Sequence, residues 1–307
     1  MAAPVRVLTV TAPAQAPLAP DGQPSDDANP YDLVDLPTVK DELELKGTDN
    51  SKDRYLRRTI TQVSLSIASH CNRVFPVEGL TELIYLDQDP YPYQTPGGVY
   101  ELTLQRWPLA NLLTPMVSAG ANTGDDVLTF AAITGITEGQ PVGHANAPAG
   151  TTVAALSPPT QIQLSQALTG PVLTGDFVTI GLAVAQTLSR GLLQSLGPKK
   201  DFDFIAPSGR LIRLNPFTGV AVTWEAEPVT IWYSAGYATI PPEVQGAALV
   251  WLTERYHSRG HDPSLMSEGE PGAIGFRRWW VGGPQSSGAV PEKIVGMLEP
   301  YRVPVVA

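Results

Sequence analysis

A long internal stretch of this chain carries no positive charge. Residues 107–189 contain neither Lys nor Arg, although the whole chain of 307 residues contains 20 of them. Short runs rich in Val, Thr and Ile lie within this stretch, separated by turns with Gly, Pro or Asp: 127–130, 151–156, 161–164 and 177–180. Short strands at regular turn spacing are typical of a small all-β module. The sequence therefore predicts an inserted β-domain at 117–182.

Turn-forming residues are abundant in the whole chain. It has 28 Gly and 30 Pro among 307 residues, roughly a fifth of the total against a usual share of about 12%. This favours many irregular connections over a helical bundle or a doubly wound sheet. The predicted fold class is α+β, with a small helical core, β-strands that include a hairpin, and the inserted all-β module.

Helical periodicity is strongest at 51–73. Leu56, Ile60, Val63, Ile67 and Cys71 recur at steps of three or four residues, which places them on one face of a helix. Shorter apolar patterns between Pro and Gly residues predict three further helices, at 38–46, 241–258 and 291–299. Alternating patterns predict strands outside the insert at 82–86, 100–104, 210–214 and 229–233.

The regions on either side of the insert have the same mixed composition. We therefore expect residues 31–116 and 183–307 to form one discontinuous helical and β domain that the segment 117–182 interrupts. Residues 1–30 are rich in Pro, Ala and Asp, which is typical of an extended arm without a core of its own. Such an arm is either a linker or a strand that docks onto a neighbouring subunit.

The composition leaves little material for catalysis or metal binding. One Cys excludes a disulfide framework and a thiolate zinc site. His257 and His261, followed by Asp262, have the spacing of a metal site, but Gly260 interrupts the helix between the two histidines. We predict no catalytic residue, no cofactor and no metal. The net charge of −10 also argues against a protein that wraps nucleic acid.

No membrane partner is expected. No segment approaches the roughly 20 apolar residues that a membrane-spanning helix needs. Residues 1–30 contain a single basic residue, Arg6, and no continuous apolar run, which excludes a secretory signal there.

Two segments have the composition of interaction surfaces. Arg277, Arg278, Trp279 and Trp280 follow a Gly-rich stretch, and Arg and Trp are enriched at interface hot spots. They form either a subunit or tail interface or a Trp pair that packs on its own domain. The second segment is the short apolar tail at 301–307, which either adds to a partner's groove or sheet edge or is a frayed terminus.

The order of several motifs resembles a known family. The helix YLRRTITQVSLSIASHCNRVF comes first, and later a strand ending in Tyr-x-x-Gly (Tyr233, Gly236) leads through Pro241 to an Ala-rich helix that closes on Tyr-x-x-Arg (Tyr256, Arg259). The chain then ends in MLEPYR at 297–302. This arrangement resembles the head–tail connector (head-completion adaptor) family of tailed bacteriophages and of the related gene transfer agents. The resemblance covers roughly residues 1–110 and 185–307.

The resemblance implies a structural virion protein and no enzyme. Members of the family form a homo-oligomeric ring, with a dodecamer as the expected form, below the portal at the junction of capsid and tail. The implied partners are the portal protein, a tail or stopper protein, neighbouring copies in the ring, and double-stranded DNA that passes through the lumen without sequence-specific binding. We expect synthesis in the cytoplasm of the bacterial host and then a place in the virion.

The family's C-terminal contact makes the tail the candidate for docking into the portal. The candidate residues are Tyr301, Arg302, Val303, Pro304, Val305 and Val306. The insert departs from compact family members and resembles the Gly-, Thr- and Val-rich β repeats of phage tail and fibre proteins. An alternative function is therefore a virion-surface or tail-associated protein that binds a glycan or another virion protein through residues 117–182.

Overall fold

The computed structural model describes residues 6–14, 29–86, 93–94, 100–187, 192–225, 227–258, 267–268, 277–278 and 290–303. In these ranges the chain forms four α-helices and seventeen β-strands. The strands make antiparallel ladders, and the helices lie before and after most of them in the chain. The predicted α+β fold class is confirmed.

The chain divides into two compact units, which we call the β unit and the helical unit. The β unit consists of Met1–Ala14 and Val77–Ala238, and the helical unit consists of Gln15–Pro76 and Thr239–Ala307. This grouping differs from the predicted division, because residues on both sides of the insert join it in the β unit. Strand pairing is the reason: Glu78–Ile84 pairs over its whole length with Val229–Ala235.

All four predicted helices are present in the helical unit. They are α1 (Leu36–Glu42), α2 (Asp53–Cys71), α3 (Pro242–His257) and α4 (Glu292–Leu298). Helix α1 begins two residues earlier than predicted, because the carboxylate of Asp35 accepts a hydrogen bond from the Thr38 N–H at 2.8 Å and caps the first turn. Helix α2 ends at Cys71, and the C-cap residue Asn72 that follows adopts a left-handed conformation with φ of 49°.

Apolar helix faces form the core of the helical unit. All five residues of the predicted apolar face of α2, from Leu56 to Cys71, are buried. Helix α3 buries Val244, Ala247, Ala248, Trp251 and Leu252. Arg255, which the sequence pattern places on the same packing face, is instead exposed, with its guanidinium carbon 5.8 Å from the centre of the Trp251 ring. The charged group keeps its hydration while it covers an aromatic face.

Fifteen strands belong to the β unit. They are β1 (Arg6–Ala12), β2 (Glu78–Ile84), β3 (Tyr93–Gln94), β4 (Tyr100–Thr103), β5 (Val117–Ala119), β6 (Val127–Phe130), β7 (Val142–Gly143), β8 (Val153–Ser157), β9 (Gln161–Leu164), β10 (Thr179–Ile180), β11 (Leu182–Thr187), β12 (Leu193–Ser195), β13 (Phe202–Ile205), β14 (Arg210–Arg213) and β15 (Val229–Ala235). The helical unit contributes the two-residue strands β16 (Ser267–Glu268) and β17 (Arg277–Arg278).

Two sheets of the β unit share one hydrophobic core. The first has the order β1-β2-β15-β11-β12, and the second has the order β13-β14-β4-β3. Leu80 and Tyr233 from the first sheet and Leu102, Phe202 and Leu211 from the second belong to the same buried cluster. Buried and half-buried residues alternate along β2, because one face of the strand points into this core.

The inserted segment builds its own sheet and its own core. Strands β5, β6, β9 and β8 form a four-stranded sheet in that order, and β7 pairs with β10. Strands β6 and β9 have the predicted bounds, while β8 and β10 lie two residues later than the predicted starts at 151 and 177. The core residues of this sheet come from Val117 to Ile180 and include Phe130 and Ile162.

The predicted N-terminal arm is extended at residues 6–12, where it is neither a linker nor a strand on a neighbouring subunit but a strand within its own chain. Residues Arg6–Ala12 form β1, which pairs with β2 of the same chain and adds an edge strand to the five-stranded sheet. Residues 1–5 and 15–28 of the predicted arm lie outside the described residues.

A buried carboxylate fastens this edge strand. Glu82 of β2 is fully buried and accepts hydrogen bonds from the Tyr233 hydroxyl at 2.9 Å and from the Gln105 N–H at 3.1 Å. Nη1 of Arg6 lies 3.4 Å from the other carboxylate oxygen and donates to the Thr103 carbonyl at 2.8 Å. One side chain therefore connects β1, β2, β15 and the residues that follow β4.

Burial raises the pKa of Glu82, because a carboxylate removed from water is disfavoured in its charged form. The hydrogen bonds from Gln105 and Tyr233 and the charge of Arg6 act in the opposite direction without cancelling it. The native state therefore binds a proton at this carboxyl more readily than the unfolded chain. The free energy of unfolding consequently falls as the pH rises from the unfolded value, about 4.3, through the native pKa.

We predict that Arg6→Met lowers the free energy of unfolding by about 2 kcal/mol at pH 7, because it leaves a buried carboxylate without its cation. The loss should be smaller near pH 4, where Glu82 is protonated in both variants. Urea denaturation at the two pH values measures the difference. In a Glu82→Gln background the same Arg6→Met change should cost less, and an equal cost in both backgrounds would contradict the network.

Candidate interaction surfaces

The start of the C-terminal tail belongs to the fold of its own helical unit. A short 3-10 turn, Glu299–Tyr301, follows α4. The Tyr301 hydroxyl donates to the carboxylate of Glu243 in the first turn of α3 at 2.9 Å, and its ring lies 6.3 Å from that of Phe75, measured between centroids. The Val303 N–H donates to the Cys71 carbonyl at 2.9 Å. These contacts attach residues 301–303 to the end of α2 and the start of α3.

The structure divides the candidate portal-binding residues into two groups. Tyr301 and Val303 are half-buried against the helical unit, while Arg302 between them is exposed. Pro304, Val305 and Val306 lie outside the described residues. The sequence pattern did not show that Tyr301 binds within its own unit, because its partners Phe75 and Glu243 are distant in sequence. Docking of the tail into a portal stays a prediction.

A second tyrosine supports the opposite end of α3. Tyr256 lies in the last turn of α3, and its hydroxyl accepts a hydrogen bond from the ammonium group of Lys52, at the start of α2. The same ammonium lies 5.2 Å from the centre of the Tyr256 ring. Tyr256 and Tyr301 both belong to the motifs quoted above, and they hold the two ends of α3 against the rest of the helical unit.

The carboxylate of Glu243 is stabilised in its charged form at the Tyr301 contact. The pKa of Glu243 lies below its usual value, because its carboxylate accepts a hydrogen bond from its own backbone N–H and another from Tyr301. The carboxylate at the start of α3 also interacts favourably with the positive end of the helix dipole. The contact therefore exists with Glu243 ionised at neutral pH.

The Arg/Trp segment is described only in part. Arg277 and Arg278 form β17, which pairs with Ser267–Glu268 in a two-stranded ladder. Trp279 and Trp280 lie outside the described residues. Their assignment to a subunit or tail interface stays a prediction.

The described residues do not bring together a metal site. His257 is exposed in the last turn of α3, with its ring edge-on to that of Tyr256 at 5.5 Å between centroids. His261 and Asp262 lie outside the described residues. Within the described ranges, no group of three or more His, Cys, Asp or Glu side chains could hold a metal ion. No helix in the same ranges is long and apolar enough to cross a membrane.

The β unit presents an aromatic side chain to solvent on a loop with internal hydrogen bonds. In residues 215–220, which we call the Phe217 loop, the side chain of Phe217 is 94% exposed. The Asn215 side-chain oxygen accepts hydrogen bonds from the N–H groups of Phe217 and Thr218 at 2.9 and 3.2 Å. The backbone of Asn215 bonds Gly219 and Val220, and Gly219 has φ of 67°, which favours glycine. These hydrogen bonds within the loop stabilise this conformation.

The inserted module exposes a second apolar feature, which we call the apolar patch: Met116, Leu173 and Phe177. Met116 and Phe177 are directly opposite each other in an antiparallel bridge and are 53% and 41% exposed. Their chain neighbours Val117 and Val178 are buried in the module's core. Because neighbouring residues of extended chain point to opposite sides, Met116 and Phe177 share the outer face. Leu173 lies on the turn that precedes Phe177 and is also exposed.

Neither the Phe217 loop nor the apolar patch is among the interaction surfaces that the sequence predicts. For the Phe217 loop a signal is present, since Asn215, Pro216 and Gly219 are turn-forming residues that flank an aromatic side chain. For the apolar patch no local signal exists, because Met116 and Phe177 are distant in sequence and only their pairing makes them neighbours.

Comparisons with known proteins give structural likenesses only. No family model and no curated protein matches the chain. Among solved structures, it is similar to a chain in the "neck of empty GTA particle computed with C6 symmetry", with 12% identity, a TM-score of 0.35, and coverage of 98% of this chain and 97% of that chain. It is also similar to a chain in the "virion of native gene transfer agent (GTA) particle", with 11% identity, a TM-score of 0.34, and coverage of 92% and 95% respectively.

The thiol of Cys71 reports on the attachment of the tail. Burial raises the pKa of this thiol to about 11, so it is protonated and inaccessible in the native state. We predict that a thiol reagent such as dithionitrobenzoate labels Cys71 of the wild-type chain slowly, at a rate limited by local opening of the helical unit. Tyr301→Ala removes the ring contact with Phe75 and should accelerate labelling, whereas Tyr301→Phe keeps the ring and should have a smaller effect. Equal labelling rates for all three chains would contradict the described attachment.

Proposed function

We propose that this chain is a structural virion protein that forms a ring below the portal, joins the capsid to the tail and extends the DNA channel. The observation that carries the proposal is the ordered set of motifs that resembles the head–tail connector family. Two motif residues, Tyr256 and Tyr301, hold the two ends of α3 in the helical unit. The motifs therefore correspond to contacts that the helical unit needs.

The charge of the chain is consistent with a channel through which DNA moves. The net charge is −10, and residues 107–189 contain no Lys or Arg at all. A protein that held DNA tightly would neutralise phosphates with clustered cations. In a connector, DNA must slide during ejection, and an acidic subunit offers it few attachment points. The proposed partners are accordingly the portal protein, a tail or stopper protein, and neighbouring copies of the same chain.

The contacts of residues 301–303 reduce the number of tail residues that the portal hypothesis concerns. Because Tyr301 and Val303 contribute to their own unit, the portal hypothesis now concerns Arg302, which is exposed, and the candidate residues Pro304, Val305 and Val306. A truncation that removes only residues 304–307 leaves the contacts with Phe75, Glu243 and Cys71 in place. It therefore separates docking from folding, which a deletion of 301–307 does not.

We predict that the chain lacking residues 304–307 keeps the wild-type melting temperature but fails to join DNA-filled capsids. Co-sedimentation of purified capsids with the full-length and truncated chains measures the binding. Tyr301→Phe, which changes the helical unit and leaves the last four residues intact, is the matched control and should still bind. Recruitment of the truncated chain at the wild-type level would overturn the docking of the tail into the portal.

A further inference from the structure

The outward face of α2 carries two arginines and no carboxylate. The exposed residues of this helix recur at steps of three or four, which places them on one stripe along its axis: Arg54, Arg58, Gln62, Leu65 and Ser69. We call this set the α2 stripe. After Asp53, its first residue, the helix contains no Asp or Glu. The stripe therefore has the opposite charge to the whole chain, whose net charge is −10.

The two arginines of the stripe are not neutralised by carboxylates of their own chain within the described ranges. The ion pairs with Asp or Glu in those ranges use five other cations: Arg6, Lys40, Lys199, Arg210 and Lys293. Arg54 and Arg58 are both exposed and take part in none of these pairs. Their charges are therefore available to an anionic partner.

The positions of the two arginines do not stabilise the helix. Arg54 lies in the first turn of α2, where the positive end of the helix dipole disfavours a cation. Arg58 follows four residues later, and like charges at this spacing repel each other. Because the helix itself disfavours this pair of charges, a partner that binds them explains the pair better than helix stability does.

The chemistry of the stripe suits the backbone of double-stranded DNA. Arginine guanidinium groups bind phosphate, and Gln and Ser side chains such as Gln62 and Ser69 also donate hydrogen bonds to phosphate oxygens. Contacts of this kind carry no sequence information. Two arginines in an otherwise acidic chain give weak binding that salt reverses, which is compatible with a duplex that slides.

We propose that the α2 stripe faces the DNA in the channel and that Arg54 and Arg58 contact its phosphates without regard to base sequence. This assignment rests on the proposed connector role and names the surface of the chain that the DNA meets. In a ring the stripe is repeated once in every copy, so contacts that are weak in one subunit act together around the duplex.

The salt dependence of DNA binding tests the contact. The anisotropy of a labelled DNA duplex is titrated with the purified full-length chain at low salt, for the wild type and for the double variant Arg54→Gln/Arg58→Gln. The variant should bind at least roughly tenfold more weakly, and its plot of log affinity against log salt concentration should be shallower by about 2, or about one for each lost phosphate contact. Two duplexes of unrelated sequence should give the same result.

The matched control removes two positive charges elsewhere. Arg210 and Lys293 already have carboxylate partners, Glu101 at 3.2 Å and Glu254 at 3.6 Å. The double variant Arg210→Gln/Lys293→Gln therefore has the same net charge as the stripe variant and should bind DNA like the wild type. Equal losses in the two double variants would overturn the proposal, as would a wild-type chain that binds no DNA at low salt.

Two further measurements separate DNA binding from folding and from contacts between copies. Gln is a good helix former, so the stripe variant should keep the wild-type helical circular dichroism and melting temperature. Sedimentation velocity reports self-association. A stripe variant that binds DNA like the wild type but no longer self-associates would overturn the proposal and assign the stripe to a second copy of the chain.

The DNA contact and the proposed function can fail separately. The titration uses only the purified chain and a duplex, so its result does not depend on capsid, portal or tail. A chain that joins capsids but shows no DNA binding dependent on Arg54 and Arg58 would overturn the contact and leave the connector role standing. A chain that binds DNA through the stripe but joins no capsids would establish the contact and overturn the connector role.

Discussion

The pairing of β2 with β15 is the constraint on which the β unit depends. The two strands lie about 150 residues apart in the chain, and the hydrogen bond between Tyr233 and Glu82 spans 151 residues. The pair occupies the middle of the five-stranded sheet, with β1 on one side and β11 on the other. The inserted module is attached at the end of β15 as well, since the Ala110 N–H donates to the Ser234 carbonyl and the Ser234 N–H donates to that of Gly181.

Local sequence patterns predicted those parts of the fold that local forces determine. The apolar face of α2 and the bounds of β6 and β9 follow from periodicity and turn residues, and the structure confirms them. The grouping into units does not follow from periodicity. It depends on which strands pair, and nothing in the sequence of Glu78–Ile84 identifies Val229–Ala235 as its neighbour. The exposure of Arg255 was also not predicted. A helical pattern shows which face of a helix is apolar, but it does not show which residues lie at the boundary of that face.

The contacts of single residues in the helical unit were also not predictable from local sequence patterns. The motifs singled out Tyr256 and Tyr301, but only the fold shows that they hold α3 at its two ends through Lys52 and Glu243. The tail therefore has two parts with different roles: residues 301–303 belong to the helical unit, and the docking hypothesis concerns mainly the residues after them. The β unit contributes two exposed apolar features, the Phe217 loop and the apolar patch.

Electron microscopy of the purified particle tests the central claim most directly. The connector account predicts density for this chain as a ring between portal and tail, with the C-terminal residues directed to the portal. Density for the chain at fibres or on the capsid surface would contradict the account and favour a glycan- or protein-binding role for residues 117–182.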